Sequence, residues 1–465
     1  MHPASARPLL AWCLLLCGCT ASTGWVPSPA ASARSRPDTW VLRVAGGEWA
    51  QLSNVSAAGE ALFALGTFGG QVELAGEKLT SQGGQDAFLA RLGDDGHVSW
   101  LQRFGGPSDE LVDGLATHPE GSVVAVGSFA GTVDFGGTTL RSQGELDCFI
   151  MKRAQEDGRL LWARRFGGSG RMMCRAVALD REGDIVVTGL VHGPVDLGAG
   201  VWPGAGEGDT FLMKLSGRDG SLQWVRHFGG AGDDVGRGLV VDASGTLYFS
   251  GHFSAGVTGE AGAVDFGTGA LTSEGDSDAF LTAFTPGGRC LWARTLGRAN
   301  FDMAKSVVVG LDGNLYLTGL FQRDDVVRPA EGVVFSAGGF EGYLASYSAA
   351  GEPRWTRRFP TMTSGHKLAV MPSGELVLAG HFSDALELGA AGTLRSEGKK
   401  DAFAMGFDPE GETRWAHRFG GPGEDYGYAV DITPRGAVIL GGMLTGAPPE
   451  KGHTAPTEAF LTRLP

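Results

Sequence analysis

The feature that most constrains this chain is a tryptophan that returns about every sixty residues. Tryptophans stand at positions 40, 100, 162, 224, 292, 355 and 415, with steps of 60, 62, 62, 68, 63 and 60 residues. In four copies the sequence Phe-Gly-Gly begins four residues later, at Phe104, Phe166, Phe228 and Phe419. A period of this length, running from Trp40 to the C-terminus, indicates an array of similar structural units.

The turns after the tryptophans also carry a calcium-binding signature. Residues 229–234 and 420–425 match G-G-x-G-x-D, the signature of the nonapeptide calcium repeat. That repeat returns about every nine residues, whereas these glycines follow the sixty-residue period. We therefore predict turns in which Gly supplies positive φ and Asp ties the turn to the next strand, with no metal and no cofactor. A calcium role is the alternative for Asp233, Asp234, Glu424 and Asp425.

Each unit has the pattern of four short strands joined by tight turns. Within residues 100–161 the segments WLQRF, LVDGLATHPEG, SVVAVGSFAG and DCFIMKR alternate in polarity or are rich in β-branched residues. No helical period lies between them, and four such strands repeated along a chain are typical of propeller blades. The sequence therefore predicts an all-β fold, a seven-bladed β-propeller with four-stranded blades.

An acidic residue opens one strand of every unit. The seven positions are Asp86, Asp147, Asp209, Asp278, Glu341, Asp401 and Glu458. A residue type present in every copy is first of all a structural requirement of the blade. We expect each carboxylate to accept backbone N–H bonds from the preceding glycine-rich turn.

The phase of the repeat predicts how the two chain ends meet. If the tryptophan strand is the last strand of each blade, the strand at residues 39–44 has no blade of its own ahead of it. The last blade begins near Tyr426, ends at residues 458–464, and lacks its outermost strand. We therefore predict antiparallel pairing between residues 40–44 and 458–464, with Trp40 packed as Trp415 packs, so that the N-terminal strand closes the ring and removes open edges.

The repeated segments DAFLARL, DDG, RFGG and VVAVGSF resemble the SBBP-type β-propeller repeat of bacterial exported proteins. The resemblance covers Trp40 to Pro465 and implies the propeller fold. It implies no activity, because that family is defined by its blade pattern. Two copies depart from the pattern: residues 359–370 lack the Gly-Gly turn, and residues 252–267 carry an insertion that explains the 68-residue step.

The N-terminus has the pattern of an export signal. LLAWCLLLCG is apolar but too short to span a bilayer, and Leu16 to Cys19 resemble the bacterial lipobox. The resemblance implies that residues 1–18 are removed, that Cys19 carries lipid, and that the protein is anchored by this lipid in the cell envelope, at the outer membrane. Residues 19–39, rich in Pro, Ser and Ala, are expected to form a flexible tether before the propeller at 40–465. An ordinary cleaved signal peptide is the alternative.

Composition adds two expectations. The formal net charge of −14 argues against nucleic acid as a partner, since phosphates would be repelled. Beyond the N-terminal segment only Cys148, Cys174 and Cys290 remain, each at a different place in its repeat. We expect them to be buried small hydrophobic residues, with pairing of two of them as the alternative.

The sequence offers no catalytic motif, and we predict no catalytic residues. There is no G-x-S-x-G, H-E-x-x-H, Walker or C-x-x-C pattern. His192, His252 and His381 recur near one blade position, yet they fall on separate blades and are expected to be exposed or half-buried histidines that do not share a metal. The longest irregular segment, residues 321–343, is expected to be a solvated connection, with ligand contact as the alternative.

Two functions follow as hypotheses. The first is a non-enzymatic, lipid-anchored propeller that displays its loops to an unknown protein or glycan ligand. The second is an envelope hydrolase or lyase with its site at the central channel. Several His, Arg, Tyr or carboxylate side chains that converge there from different blades would favour the enzyme.

Overall fold

The computed structural model describes residues 39–197, 200–256, 262–297, 300–322, 339–359, 363–446 and 455–464. Within these residues the chain is all-β apart from a short 3-10 turn at Gly389–Ala391. In the same residues no helix is both long and apolar enough to cross a membrane. Cys19, residues 1–18 and nearly all of the predicted tether lie outside the described residues, as do Arg323, Asp324, Asp325 and Arg328 of the irregular segment.

The long strands form a repeated antiparallel meander of four strands. In the first three repeats the strands are Trp49–Ala58, Ala61–Leu74, Glu77–Gly93, Val98–Phe104; Glu110–His118, Ser122–Phe129, Asp147–Ala154, Leu160–Gly168; Arg171–Leu179, Ile185–His192, Asp209–Leu215, Leu222–Phe228. The next three contain Val235–Val241, Leu247–Ser254, Ser277–Phe284, Cys290–Leu296; Asp302–Val309, Leu315–Gln322, Phe340–Tyr347, Pro353–Phe359; Ser364–Val370, Leu376–Phe382, Asp401–Phe407, Thr413–Phe419. The seventh contains Tyr426–Ile432, Val438–Thr445, Thr457–Arg463 and, from the other end of the chain, Trp40–Ala45.

The connections between second and third strands are more ordered than the sequence suggests. The connection after Phe129 contains a two-stranded ribbon, and four repeats carry such a ribbon. The ribbons are Thr132–Asp134 with Thr139–Arg141, Val195–Asp196 with Val201–Trp202, Ala263–Asp265 with Ala270–Thr272, and Ala385–Glu387 with Thr393–Arg395. The first repeat has no separate ribbon, because its second and third strands are longer and remain paired as far as Leu74 and Glu77.

The hydrophobic core lies between the sheets of neighbouring repeats. The second strand Ser122–Phe129 is buried along its whole length, because apolar side chains on both of its faces contact an adjacent sheet. Phe63 and Leu89 of the first repeat share one core cluster with Phe149 of the second. A strand that is buried on both faces reads as a continuous β-branched run, which is what this segment of the sequence contains.

The predicted pairing of the chain ends is present. Trp40 pairs with Arg463 and Val44 with Ala459, in an antiparallel register that covers the residues between them. The N-terminal strand also pairs briefly with the first repeat, at Val44 and Leu74. The last repeat thus obtains its fourth strand from the beginning of the described chain.

The repeated tryptophans connect each repeat to the next. Six of them pack on a glycine in the turn between the third and fourth strands of the following repeat, where φ lies between +71° and +84°. The pairs are Trp40 with Gly96, Trp100 with Gly158, Trp162 with Gly220, Trp224 with Gly288, Trp292 with Gly351, and Trp355 with Gly411. Trp40 takes the same place in its repeat as Trp415 does, as expected, because Trp40 pairs with Arg463 and Trp415 pairs with Gly406, the equivalent residue of the third strand. The two indoles differ in their partner from outside the repeat. The corresponding turn for Trp415 would lie between the two chain ends, and its indole instead donates to Glu375.

The acidic residues that open the third strands act as predicted in five repeats. Each accepts a hydrogen bond from the backbone N–H four residues earlier, as Asp147 does from Gln143 at 2.8 Å. The others are Asp86, Asp209, Asp278 and Asp401. Several of these carboxylates also pair with an arginine on the fourth strand, which the sequence analysis did not foresee; Arg418 lies 2.7 Å from Asp401.

The expectation for the cysteines is wrong for two of the three. Cys148 and Cys174 form a disulfide with their Cα atoms 5.4 Å apart, whereas Cys290 is a buried thiol outside any disulfide. Cys148 lies on the third strand of the second repeat and Cys174 on the first strand of the third. The bond therefore joins neighbouring sheets, a contact that positions within a single repeat do not reveal.

Candidate functional site

The first strand of every repeat contains a β-bulge at the same place. Its pairing with the second strand skips one residue, which points away from the ladder. The skipped residues are Ser53, Asp113, Arg175, Arg237, Lys305, His366 and Tyr428. All seven are half-buried and line one cavity of about 410 Å³, a volume within the usual range for small-molecule sites.

A glycine on the second strand makes each bulge possible. A Cβ atom at this position would lie 1.8 to 2.4 Å from a carbonyl oxygen of the first strand, which no side chain tolerates. The glycines are Gly66, Gly127, Gly189, Gly251, Gly319, Gly380 and Gly442. These are the central glycines of segments such as VVAVGSF, so their recurrence in all copies has a steric cause.

Basic groups dominate one side of the cavity. Arg175, Arg237 and Lys305 belong to three consecutive repeats, and Lys367 of the next repeat also lines the cavity. Asp113 balances Arg175 through an ion pair of 3.0 Å. The cavity therefore carries an excess of positive charge inside a protein whose formal net charge is −14.

Lys305 has the most altered chemistry of these groups. Its Nζ donates to Ser364 Oγ at 2.8 Å, and protein surrounds the side chain, although the cavity gives it access to water. Burial, followed by the positive charge of Arg237, lowers the pKa of Lys305 to about 7. Near neutral pH a substantial fraction of this amine is uncharged.

A group of aromatic and imidazole rings forms the adjoining wall. His366 Nε2 and His381 Nδ1 are 2.9 Å apart, and the ring of Tyr428 meets His366 edge-on with centroids 5.1 Å apart. Burial, followed by the charge of Lys305, holds the pKa values of both histidines well below their usual range. Both imidazoles are therefore neutral at physiological pH, with one hydrogen shared between them.

The structure separates the three histidines singled out in the sequence. His381 lies behind the cavity wall, His252 is buried, and His192 contacts the Glu207 carbonyl with Nδ1 at 2.5 Å. The expectation of an exposed or half-buried side chain is wrong for His252. Within the described residues no group of three or more His, Cys, Asp or Glu is placed to hold a metal ion.

The Gly-Gly turns use their acidic residues as predicted. Asp234 accepts the N–H of Gly230 at 2.7 Å, and Asp425 accepts those of Gly421 and Thr445, also at 2.7 Å. The neighbouring acids have other partners. Glu424 accepts from the Tyr426 hydroxyl at 2.8 Å and lies 3.6 Å from Lys400, and Asp233 lies 3.8 Å from His192.

Comparison with known proteins adds little to this geometry. No protein-family model matches the chain. An uncharacterized WD repeat-containing protein of Acanthamoeba polyphaga mimivirus is 25% identical over 236 residues, which cover 43% of this chain but only 17% of that protein.

Several solved structures are similar to this chain. They include the Neurospora crassa Pan2 WD40 domain (11% identity, 89% of both chains, TM-score 0.45) and virginiamycin B lyase from Staphylococcus aureus (8%, 92% of this chain and 99% of that one, 0.43). BamB from Moraxella catarrhalis has 10% identity over 88% of this chain and 96% of its own, with a TM-score of 0.39. At these levels no activity can be carried over. The assignment as a β-propeller repeat protein rests on the repeated four-stranded meander itself.

The sequence analysis missed all seven cavity residues. A sequence signal for them does exist. Every copy has the same glycine on its second strand, and the bulge residue opposite it on the first strand differs from copy to copy. Side chains of Arg, His, Tyr and Asp from different repeats do converge in the cavity, which is the arrangement that the sequence analysis took to favour the enzyme.

Proposed function

We propose that this protein is an exported, seven-bladed β-propeller that binds a small anionic ligand in its central cavity. Pairing of Trp40–Ala45 with the last repeat supports the blade count and the closure of the ring. Packing of Trp40 on Gly96 supports contact between the last and first repeats. A closed ring brings the first strands of all repeats around one axis, which is the usual place for a propeller's ligand site.

The observation that carries the ligand class is the cluster of bulge residues on consecutive repeats. Arg175, Arg237 and Lys305 present cationic groups to a partly enclosed space, where they attract a carboxylate or phosphate more strongly than at an open surface. Asp113 forms an ion pair with Arg175. The acidic exterior makes nonspecific attraction of anions to other parts of the surface weak.

Calorimetric titration with citrate and pyrophosphate, against glucose as a neutral probe, tests this ligand class. We expect at least one anion to bind, glucose not to bind, and Arg237→Gln to weaken the anion about tenfold, as the loss of one charge-assisted hydrogen bond would do. Ser53→Ala, which removes an uncharged hydroxyl at the equivalent bulge of the first repeat, is the matched control and should bind nearly as the parent does. Equal binding by parent and Arg237→Gln would contradict the proposal.

The location of the protein in the cell is inferred from its N-terminal sequence. We infer from the lipobox-like Leu16 to Cys19 that Cys19 carries lipid and holds an SBBP-like propeller at the outer membrane through the tether at 19–39. Cys19→Ser should move the protein from the membrane to the soluble fraction. Retention of the variant in the membrane with an unchanged intact mass would contradict lipidation. Loops on this anchored scaffold remain candidates for contact with a protein or glycan, which a pull-down from solubilised envelope would detect.

An enzymatic role is the second candidate, and one observation favours it. Lys305 combines a lowered pKa with a place on the wall of the cavity, and such amines serve as bases or nucleophiles. Simple binding of an anion would be served better by a fully charged lysine. Turnover of a bound anion, measured by product analysis after prolonged incubation, separates this candidate from binding alone.

A further inference from the structure

Lys305 differs from the other cavity lysine in what surrounds it. It occupies the bulge of the fifth repeat, so its backbone is fixed by ladder pairs on either side, Ala304 with Gly319 and Ser306 with Thr318. A side chain at such a bulge is aimed into the cavity by the backbone itself. Lys367 also lines the cavity and burial lowers its pKa too, but the carboxylate of Asp431 opposes that shift, whereas Lys305 has the positive charge of Arg237 beside it.

The groups around Lys305 suit an anionic carbonyl compound. Arg237, on the preceding repeat, is near enough for its charge to lower the pKa of the lysine, and a guanidinium binds a carboxylate through two parallel hydrogen bonds. On the following repeat, Ser364 Oγ accepts from Nζ at 2.8 Å. His366, neutral and lining the same cavity, offers a nitrogen that can accept or return a proton.

We propose that Lys305 forms a reversible imine with the carbonyl carbon of a small 2-oxo acid whose carboxylate is bound by Arg237. The inference rests on the proposed function, because the same cavity must first accept an anion. The Nζ lone pair forms the bond to carbon as the carbonyl π bond breaks and its oxygen takes a proton. The nitrogen loses one proton to give a neutral carbinolamine, and a second proton on the hydroxyl lets it leave as water. The nitrogen lone pair then forms the C=N bond, and a protonated imine remains.

Proton transfer in these steps needs no group outside the cavity. The oxygen must be protonated before it leaves, and the nitrogen must be deprotonated after the attack, so one site that exchanges protons near Nζ serves both. We assign this exchange to His366, because its imidazole lines the same cavity as Lys305 and a neutral imidazole has one nitrogen that can accept a proton. Ser364 is a positioning residue, because its hydroxyl fixes the direction of Nζ without itself reacting.

Charge supports an amine that reacts near neutral pH. With a pKa of about 7, roughly half of Lys305 is uncharged near pH 7, whereas an ordinary lysine would be almost wholly protonated. The titratable groups near it are Arg237 from the preceding repeat and the neutral His366 from the following one, with the neutral His381 and Lys400 behind His366. Since none of them is an acid, nothing in this set raises the pKa of the amine again.

Reductive trapping of the full protein with pyruvate and cyanoborohydride tests the inference. We expect the intact mass to rise by one reduced pyruvate, and peptide mapping to place it on Lys305 and not on Lys367. The rate of trapping should rise between about pH 6 and pH 8, following deprotonation of the amine. Lys305→Arg, which keeps the charge, should abolish trapping. Lys214→Arg, at a buried lysine paired with Asp180 at 2.6 Å outside the cavity, should leave it unchanged.

Lactate separates failure of the imine from failure of anion binding. Lactate has the same carboxylate as pyruvate but no carbonyl group, so it reports binding to the cationic cavity alone. If lactate and pyruvate bind equally and no adduct forms on Lys305, the imine is refuted and the anion site stands. If neither these acids nor citrate and pyrophosphate bind, the proposed function itself fails. An adduct spread over many lysines would also refute a specific role for Lys305.

Discussion

Gly96→Ala probes the contact that joins the last repeat to the first. Gly96 has φ of +80° in the turn that follows the third strand of the first repeat. The ring of Trp40 lies directly over it, and the Trp40 Nε1 donates to the Asp94 carbonyl at 2.9 Å. Trp40 in turn opens the strand that pairs with residues 459–463. A methyl group at position 96 therefore acts on the connection between the two ends of the chain.

The expected cost has two parts that a control variant can separate. Alanine at positive φ costs about 1–2 kcal/mol wherever it is placed. At Gly96 the new Cβ would also stand 2.7 Å from Trp40 Cδ2, so the indole must move. Loss of its hydrogen bond costs about 1 kcal/mol and loss of its packing about 1–2 kcal/mol more. We expect Gly96→Ala to lower the free energy of unfolding by about 3–5 kcal/mol in total.

Gly121→Ala is the matched control. Gly121 has φ of +92° in a turn of the second repeat, and nothing lies within 4 Å of a Cβ built there, so only the strain of about 1–2 kcal/mol applies. Chemical denaturation of both variants measures the difference, and hydrogen exchange of the amides at 40–44 reports whether the N-terminal strand loosens. In a Trp40→Ala background, Gly96→Ala should cost no more than Gly121→Ala. Equal losses for the two variants in the parent protein would refute a stabilising role for the Trp–Gly contact.

Three further predictions concern the turns and the disulfide. Burial, with added repulsion from Asp86 and Asp109, raises the pKa of Glu110 to about 8, so the folded state holds this proton more tightly than the unfolded state does. The free energy of unfolding should therefore fall as the pH rises from about 4.5 to about 8, and Glu110→Gln should show a smaller fall in denaturation experiments. Identical pH dependence for parent and variant would contradict the shift. In the Gly-Gly turns, backbone N–H groups already donate to the carboxylates of Asp234 and Asp425, so EDTA should change the melting temperature by less than about 2 °C. A large drop restored by calcium would instead establish an ion site. Reduction of Cys148–Cys174, which spans 26 residues, should lower the free energy of unfolding by about 2–4 kcal/mol, and an unchanged denaturation midpoint under reductant would contradict this.

The sequence sufficed for features that every copy repeats. Strand order, the turn-closing carboxylates and the pairing of residues 40–44 with the last repeat all follow from alignment of the chain with itself, because a local pattern found in every copy has a local cause. Contacts between neighbouring repeats were not predictable in this way. The disulfide of Cys148 with Cys174 and the packing of Trp40 on Gly96 depend on how two sheets face each other, which no spacing within a repeat encodes.

The cavity residues were missed for a different reason, and the reason indicates where function lies in such a fold. The sequence analysis singled out the copies that depart from the repeat, such as the one with the insertion in residues 252–267, as the asymmetric part of the chain. In the structure the asymmetry lies on the first strands, which are among the most regular elements of the fold. A constant glycine on the second strand, such as Gly319, forces a bulge there, and the skipped residue, here Lys305, has no partner in the sheet that restricts its identity. Packing therefore fixes the glycine in every copy and leaves the bulge position open to vary. Seven copies with one position open in each can surround a single ligand with different chemical groups while every sheet keeps the same core.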